Sequence, residues 1–155
     1  MEVIDLLENE NKEYWINKLG ECDWDAGVML HRIVVNGEFF DTVGEDSKVL
    51  MLTDGGELVS FCTYSKVDDI LPTELTPWMG FVFTFPKFRG HRYVGKLFEK
   101  VMQLAKEDNY EKIYISTNHT GLYEKYGCEF LKYEIDDSGK PTRVYVKKVN
   151  DQHIP

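Results

Sequence analysis

Arginine and glycine alternate with aromatic residues in a segment suited to holding phosphate. The segment runs from Phe85 to Lys96 and reads FPKFRGHRYVGK. An apolar, β-rich run precedes it and helically spaced apolar residues follow it, so a strand is predicted to end in a tight turn that opens into a helix. Backbone N–H groups and the positive end of the helix dipole would converge at this turn. The segment therefore predicts a phosphate-binding site, to which Arg92 could add charge.

The elements around this turn form a mixed α+β pattern. Periodicity and turn residues predict the order α-α-β-β-β-α-β-α-β-β. The helix after the turn joins two strands at the spacing of a parallel β-α-β crossover, and hairpin turns join most of the other strands. We expect a mostly antiparallel central sheet with helices on both faces and one central parallel crossover. The predicted strands are 48–53, 57–66, 78–85, 112–117, 130–135 and 143–148.

The predicted helices lie on both sides of these strands in the sequence. A polar helix is expected from Leu6 to Leu19, and Asp23 is predicted to N-cap the next one. Two more are expected, one from the phosphate turn to about Asp108 and one over residues 122–126. The order of glycines in the turn does not fit G-x-G-x-x-G, and antiparallel hairpins precede it. A dinucleotide-binding fold is therefore disfavoured.

The composition indicates a globular protein with an acidic surface. The 155 residues are 43% apolar and 14% aromatic, so we expect a single domain over residues 1–155. A net charge of −9 argues against nucleic acid or an anionic membrane surface as partner, and it suits a cationic acceptor. The acidic N-terminus lacks a leader pattern, and the three cysteines fit neither a disulfide framework nor a metal site. We expect a cytoplasmic protein without a metal.

Two separate segments share residues with one known family. The phosphate turn carries Thr84, Pro86, Arg89 and Gly90 in the order of a V-x-P-x-x-R-G-x-G-x-G pattern. Further along, residues Asn118 to Phe130 read NHTGLYEKYGCEF, close to the pattern N-x-x-A-x-x-F-Y-E-K-x-G-F. In this combination and order, the chain resembles the GNAT superfamily of N-acetyltransferases. The resemblance implies the acyl-CoA N-acyltransferase fold.

The resemblance also implies that the turn and the preceding strand bind coenzyme A. The chain departs from the family pattern at Arg92 and Val94, where glycine is usual. Backbone donors do not need glycine if the turn stays near the right-handed helical region, so we expect the cradle to survive. The residues implied in cofactor binding are Phe83, Thr84, Phe85, Arg89, Gly90, His91, Arg92, Tyr93, Val94, Gly95, Lys96, Asn118 and Leu122.

The activity implied is direct transfer of an acetyl group from acetyl-CoA to a primary amine. In the family, the strand before the turn splays from its parallel neighbour, often at a β-bulge, and the pantetheine arm enters the gap. A backbone N–H near Thr84 or Phe85 would polarise the thioester carbonyl. Tyr123 matches the family tyrosine that protonates the leaving thiolate as general acid.

The base that deprotonates the amine is left open by the sequence. Candidates lie in the loop of residues 67–77, which often contacts substrate in the family, and just after Asn118; a water chain is the alternative. The loop and the N-terminal helices are expected to form an acidic, aromatic acceptor pocket. The candidate bases are Asp68, Asp69, Glu74 and His119, and the candidate pocket residues are Trp24, Tyr64, Trp78 and Phe81.

The expected partner is a small-molecule amine or a lysine-like acceptor, with no nucleic acid and no membrane, in a monomer or homodimer. Two other functions fit the same resemblance. One is a non-catalytic acyl-CoA-binding or sensor domain, which would need no general acid. The other is a transferase of a different acyl group.

Overall fold

The computed structural model describes residues 1–71 and 73–150. Pro72, which belongs to the predicted loop 67–77, and residues 151–155 of the predicted domain lie outside the described residues. The strands are β1 (Glu2–Asp5), β2 (Lys48–Asp54), β3 (Glu57–Ser65), β4 (Trp78–Thr84), β5 (Lys112–Thr117), β6 (Glu129–Ile135) and β7 (Pro141–Lys148). The α-helices are α1 (Lys12–Leu19), α2 (Asp25–Val35), α3 (Phe39–Val43) and α4 (Val94–Glu107), and 3₁₀ turns cover Leu6–Glu8, Pro86–Phe88 and Tyr123–Tyr126.

The strands form one seven-stranded sheet in the order β1-β2-β3-β4-β5-β7-β6. Neighbouring strands are antiparallel except β4 and β5, which run parallel and are joined through α4. Antiparallel neighbours need only short turns, whereas the parallel pair needs the length of a helix to return the chain. The predicted α+β class with one central parallel crossover is confirmed.

Two apolar layers hold the helices against opposite faces of the sheet. Side chains alternate along β2, so Leu50 and Leu52 pack with α4 while Val49 and Met51 pack with α1, α2 and α3. The buried residues of α4 follow helical spacing, which is why this helix is predictable from the sequence. They are Gly95, Leu97, Phe98, Val101, Met102, Leu104 and Ala105.

The N-terminal region differs from the prediction. A helix is expected from Leu6, but α1 begins at Lys12 because the Asn9 side chain accepts a hydrogen bond from the Asn11 N–H at 2.8 Å and turns the chain there. The preceding strand β1 is not visible in the local pattern. It has four residues and pairs with the distant strand β2, and Lys48 Nζ lies 3.1 Å from the Asp5 carboxylate.

The predicted N-cap at Asp23 is wrong. Helix α2 begins at Asp25 and its N-cap is Trp24, which has an extended backbone and makes no side-chain capping bond. Tertiary packing decides this boundary, since the Trp24 ring stacks on Phe83 of β4 with the ring centroids 5.6 Å apart. The cap that an aspartate would supply has been replaced by an aromatic contact with the sheet.

The parallel strands β4 and β5 separate almost at once. Their register contains one pair, Trp78 with Tyr114. Strand β4 stays on β3, but from Gly80 to Phe83 it advances three residues while β3 advances two, and Phe81 has a φ of 50°. This extra residue is a β-bulge, which bends and twists the strand. A gap therefore opens between β4 and β5 beyond Trp78.

Packing of α2 can be tested with two truncations on the same helix. Leu30 is fully buried in the layer beneath the N-terminal helices, whereas the Val28 side chain is 48% exposed. We expect Leu30→Ala to lower the free energy of unfolding by about 2–5 kcal/mol and Val28→Ala by less than about 0.5 kcal/mol. Urea denaturation followed by circular dichroism measures both, and equal losses would contradict the packing described.

Candidate active site

A cleft of about 680 Å³ lies beside the gap between β4 and β5. Three segments form it: the last half of β4, the turn that leads into α4, and the 3₁₀ turn after β5. Its walls are mainly apolar and aromatic, with arginine at one end. The lining residues are Trp24, Val82, Phe83, Thr84, Phe88, Arg89, Gly90, Arg92, Tyr93, Val94, His119, Leu122, Tyr123, Lys125 and Tyr126.

Strand β4 turns unpaired peptide groups towards the gap. The Phe85 N–H donates to Val59 O on β3 at 3.0 Å, and Thr84 lies opposite Ser60. Because hydrogen-bonding direction alternates along a strand, the peptide N–H of Thr84 points away from β3, and so does that of Val82. The expectation that Phe85 could polarise a thioester carbonyl is therefore wrong, because its N–H is already bound to β3. Thr84 remains available.

The turn after β4 adopts left-handed backbone conformations at two positions. Gly90 has a φ of 90° and Arg92 a φ of 57°. The expectation that the turn stays near the right-handed helical region is wrong at Arg92, which holds without glycine a conformation that glycine adopts more easily. Hydrogen bonding among the described residues starts again only where the Gly95 N–H donates to Arg92 O at 3.0 Å. Among the described residues, the N–H groups of residues 90–94 therefore have no backbone hydrogen-bond partner.

Arg89 links the turn back to the strand. Its Nε donates to Thr84 O at 2.9 Å, and its guanidinium lies 5.3 Å from the centre of the Phe83 ring. The carbonyl of Thr84 is therefore occupied while its N–H still faces the gap. Arg89 and the start of α4 together make this end of the cleft electropositive, which favours an anion.

Tyr123 brings a phenol into the other end of the cleft. Its side chain is 4% exposed, and its ring lies edge-on to Phe98 at 6.1 Å between centroids. Burial raises the pKa of Tyr123 well above its ordinary value, with nearby thiol groups adding to the shift. The phenol therefore keeps its proton throughout the physiological range.

Most of the residues predicted to bind cofactor lie together on this cleft. Phe85 does not, because its ring packs against Phe83 with centroids 5.2 Å apart. Gly95 is buried within α4, and the Asn118 amide bonds to Pro141 O at 3.4 Å. His91 and Lys96 are exposed beside the cleft, His91 stacking on Tyr93. Those that line it are Phe83, Thr84, Arg89, Gly90, Arg92, Tyr93, Val94 and Leu122, and Tyr123, predicted as the general acid, lines it as well.

The cleft also contains residues that the sequence did not single out for it. Tyr126 follows Tyr123 by one turn and stacks on Phe98 at 4.8 Å between centroids. Val82 lies on β4, Phe88 is in the 3₁₀ turn, and Lys125 is at the rim. The spacing of the two tyrosines in LYEKYG is the only local signal for Tyr126.

The four aromatic candidates for an acceptor pocket separate in the structure. Trp24 lines the cleft. The prediction that Tyr64 lines it is wrong, because the Tyr64 hydroxyl bonds to the Asp108 carboxylate at 2.7 Å, at the far end of α4. Trp78 is fully buried against Tyr114, and Phe81 packs in the layer of α1 and α2. Aromatic composition alone could not tell these environments apart.

The candidate bases also differ in environment. Glu74 is exposed, and His119 lies on the cleft. Asp68 is half-buried, and burial, reinforced by the neighbouring charge of Asp69, raises its pKa to about 7. Burial also raises the pKa of Asp69, against a hydrogen bond from Ser116. Burial therefore favours the protonated form of both Asp68 and Asp69.

The described part of the chain contains no group of three or more His, Cys, Asp or Glu side chains that could hold a metal ion. Cys22, Cys62 and Cys128 are buried, and none of them forms a disulfide bond. Across residues 1–71 and 73–150, no helix has the length and apolar character required to cross a membrane.

Three of the solved structures with a similar fold are described as acetyltransferases. An aminoglycoside 6'-N-acetyltransferase complexed with coenzyme A is 14% identical, with a TM-score of 0.68, covering 98% of this chain and 99% of that chain. An acetyltransferase from Streptococcus agalactiae is 21% identical, with a TM-score of 0.67 over 95% and 97% of the two chains. A GNAT family acetyltransferase from Elizabethkingia anophelis with acetyl-CoA bound is 17% identical, with a TM-score of 0.56 over 72% and 82%.

Sequence comparison places the chain in a family. A search of curated proteins found no match. Residues 5–128 match the profile of the acetyltransferase (GNAT) family, which spans the sheet from β1 to the turn of Tyr123. The chain belongs to the GNAT acetyltransferase family and is an N-acetyltransferase.

The left-handed conformation at Arg92 can be tested by comparing glycine with alanine there. Glycine adopts this conformation without the strain that alanine suffers, so we expect Arg92→Gly to exceed Arg92→Ala in free energy of unfolding by up to about 1 kcal/mol. The same pair at Lys96, in the first turn of α4, is the control. There glycine should be the less stable by about 1 kcal/mol. Chemical denaturation of the four variants measures both differences, and the same sign at both positions would contradict the turn described.

Proposed function

We propose that this protein transfers an acetyl group from acetyl-CoA to a primary amine by direct attack, and that its catalytic unit is a single domain. The observation that carries the proposal is the meeting of three features in one cleft. These are a sheet gap with unpaired peptide groups, an electropositive helix N-terminus, and a buried phenol. The coenzyme A and acetyl-CoA complexes of the structural neighbours support the cofactor.

The proposed cofactor lies across the cleft from the turn to the gap. The backbone donors of residues 90–94 and the dipole of α4 hold the pyrophosphate, and Arg89 and Arg92 add positive charge. The pantetheine arm is an amide chain, so it pairs with the peptide group of Val82 and the N–H of Thr84 as an additional strand would. The thioester then lies in the gap near the bulge at Phe81.

The transfer itself requires three proton and bond events. The neutral amine nitrogen attacks the thioester carbonyl carbon, and an N–H of β4 stabilises the oxyanion that forms. The C–S bond then breaks, and Tyr123 gives its proton to the departing thiolate while the nitrogen loses one. The raised pKa of Tyr123 suits this role, because the group stays protonated until a strong base forms beside it.

The acceptor in this proposal is a small-molecule amine or a lysine-like side chain. The net charge of −9 favours a cation over nucleic acid or an anionic membrane surface. Three of the neighbours are aminoglycoside 6'-N-acetyltransferases by their descriptions, and aminoglycosides are amines of this kind. A non-catalytic acyl-CoA sensor would need the turn and the gap but no phenol in the cleft. A cytoplasmic location stays a prediction.

Cofactor binding is tested by isothermal titration with acetyl-CoA, coenzyme A and 3'-dephospho-coenzyme A. We expect roughly micromolar affinity for acetyl-CoA, weakened by high salt because phosphate contacts are screened. Arg92→Ala should weaken binding by roughly tenfold through loss of a charge-assisted contact. Lys106→Ala, which removes a positive charge from the opposite end of α4, is the control and should leave affinity unchanged. Absence of any binding by the wild type would contradict the cofactor site.

The role of Tyr123 is tested by removing one oxygen. Tyr123→Phe should lower kcat by roughly 10²–10⁴ while the Kd for acetyl-CoA stays within about twofold, because only the proton donor is lost. Tyr126→Phe is the matched control, since Tyr126 is also a buried tyrosine on the same turn and cleft. Steady-state assay of free thiol release over a panel of primary amines measures both variants. Equal rates for the two would exclude Tyr123 as the acid.

A further inference from the structure

The closed end of the gap between β4 and β5 lies next to two carboxyl groups. The strands are last paired at Trp78 and Tyr114. Gly80 and Ser116 follow that pair by two residues each, so they are the first positions on the same face where the strands are apart. The Asp68 carboxyl lies over Gly80, and Asp69 interacts with Ser116. One carboxyl group therefore stands at each strand where the gap opens.

Gly80 makes room for the Asp68 carboxyl. A Cβ atom at Gly80 would collide with Asp68 Oδ1 and would lie 3.2 Å from Thr63 Oγ1. Gly80 does not have a positive φ, so the backbone conformation does not require glycine at this position. The space that the Asp68 carboxyl occupies does require it. The Asp68 carboxyl and the Thr63 hydroxyl thus share the space above one glycine.

The polar atoms here have acceptor capacity that the protein does not use. Thr63 is fully buried, yet its Oγ1 has no hydrogen-bond partner among the described residues, and neither has Asp69 Oδ1. Buried polar atoms are rarely left this way in a finished structure. An ammonium group has three N–H donors and no acceptor, so it complements two carboxylates and a hydroxyl.

The charges around Asp68 are also uncompensated. Its leading electrostatic neighbours are the carboxylates of Asp69, beside it in the loop, and Asp137, in the turn between β6 and β7. The two segments are tied together, because the Asp137 N–H donates to Asp69 O at 2.7 Å. None of the ion pairs found within residues 1–71 and 73–150 includes these three aspartates. Asp68, Asp69 and Asp137 therefore form an acidic wall of the gap, and a cation that enters the gap could pair with their carboxylates.

We propose that Asp68, with Asp69 and Thr63, binds the acceptor's ammonium group at the closed end of the gap and that Asp68 takes its proton. This inference rests on the proposed function. The ammonium N–H bond breaks, its proton moves to an Asp68 oxygen, and the lone pair left on nitrogen attacks the thioester. When the C–S bond breaks, Tyr123 protonates the thiolate and recovers a proton from the acylated nitrogen. The proton on Asp68 leaves to solvent, so each turnover releases one proton.

This arrangement separates the two proton-transfer groups by the gap. Tyr123 belongs to the layer packed on α4, whereas Gly80 and the carboxyl above it lie on the face of Trp78. The charged groups that act on Asp68 are Asp69 in its own loop and Asp137 from the β6–β7 turn, and the charge of Asp68 in turn adds to the raised pKa of Tyr123. The amine therefore arrives from the acidic face, and the sulfur departs towards the phenol.

The test compares pH profiles of kcat/KM for wild type and Asp68→Asn with the best acceptor from a panel of primary amines. At pH 7, we expect the variant to be slower by roughly 10²–10³. Wild-type activity should level off above the pKa of Asp68. The variant lacks the proton acceptor, so only amine that is already neutral in solution can react. Its kcat/KM should therefore rise about tenfold per pH unit until the pH approaches the amine pKa of about 10. A β,β-difluorinated analogue of that amine, being less basic, should narrow the difference.

Two further variants test whether Asp68 acts as the proton acceptor or only contributes negative charge or stability. Asp137→Asn removes the same charge from the exposed part of the wall, and it should raise KM while leaving the shape of the kcat profile unchanged. Gly80→Ala displaces the Asp68 carboxyl and should reproduce the Asp68→Asn profile with acetyl-CoA affinity unchanged. Folding has its own readout. Because the folded pKa of Asp68 is raised, wild-type stability should fall between about pH 4 and 7, and Asp68→Asn should reduce that slope.

The outcomes distinguish the two proposals. If the wild type acetylates an amine and Asp68→Asn keeps the wild-type pH profile, the assignment of Asp68 is overturned and the proposed function stands. If the wild type binds acetyl-CoA but acetylates no amine in the panel, both fail. A variant that is slow at pH 7 and recovers with rising pH supports Asp68 as the proton acceptor.

Discussion

The separation of β4 from β5 is the constraint on which the rest of the site depends. Two parallel strands that begin paired at Trp78 and Tyr114 would normally continue to pair, because unpaired peptide groups cost free energy. Here the bulge at Phe81 bends β4 away from β5, while β4 stays hydrogen-bonded to β3 up to Phe85. The peptide groups of Val82 and Thr84 are left on the side of the gap. A ligand with its own amide groups satisfies them as an additional strand would.

Two of the four described non-glycine residues with positive φ lie beside this gap. Phe81 and Arg92 both have positive φ, although an aromatic and an arginine side chain each disfavour it. Such conformations persist only where the surrounding structure determines them, and they often lie at functional sites. The two apolar layers hold these conformations in place, because Phe81 packs in one layer and α4, which follows Arg92, packs in the other. The rigid sheet therefore fixes both the bulge and the turn.

The sequence predicts those parts of the fold in which neighbouring residues determine the local conformation. Asp54-Gly55-Gly56 specifies the β2–β3 hairpin, and the apolar spacing of α4 specifies that helix and hence the crossover. Strand β1 was missed because its pairing with β2 is distant in sequence. The wrong N-cap at Asp23 has a similar cause, since the contact of Trp24 with Phe83 lies outside any local window.

The site was predictable to the extent that motifs keep their spacing. The turn and the Tyr123 segment are each continuous in sequence, and the structure brings most of their predicted residues to one cleft. The hydrogen bond of Phe85 to β3 and the left-handed Arg92 depend on the strand register and on packing, which a sequence pattern does not contain. The sequence offered Asp68 as one of four candidate bases, and the reason to propose it over the others is its position above Gly80, which no sequence pattern contains.

The same gap explains why acid and base groups need not interfere. A phenol and a carboxylate placed together would exchange a proton or share a hydrogen bond, and each would lose the pKa that its task needs. Tyr123 is buried in the layer of α4, so its neutral form is favoured, whereas Asp68 lies among carboxylates on the opposite face. In the proposed reaction the substrate itself bridges these two environments. In the proposed reaction, the opening between the two strands would thus serve both as the cofactor channel and as the separation between the proton donor and the proton acceptor.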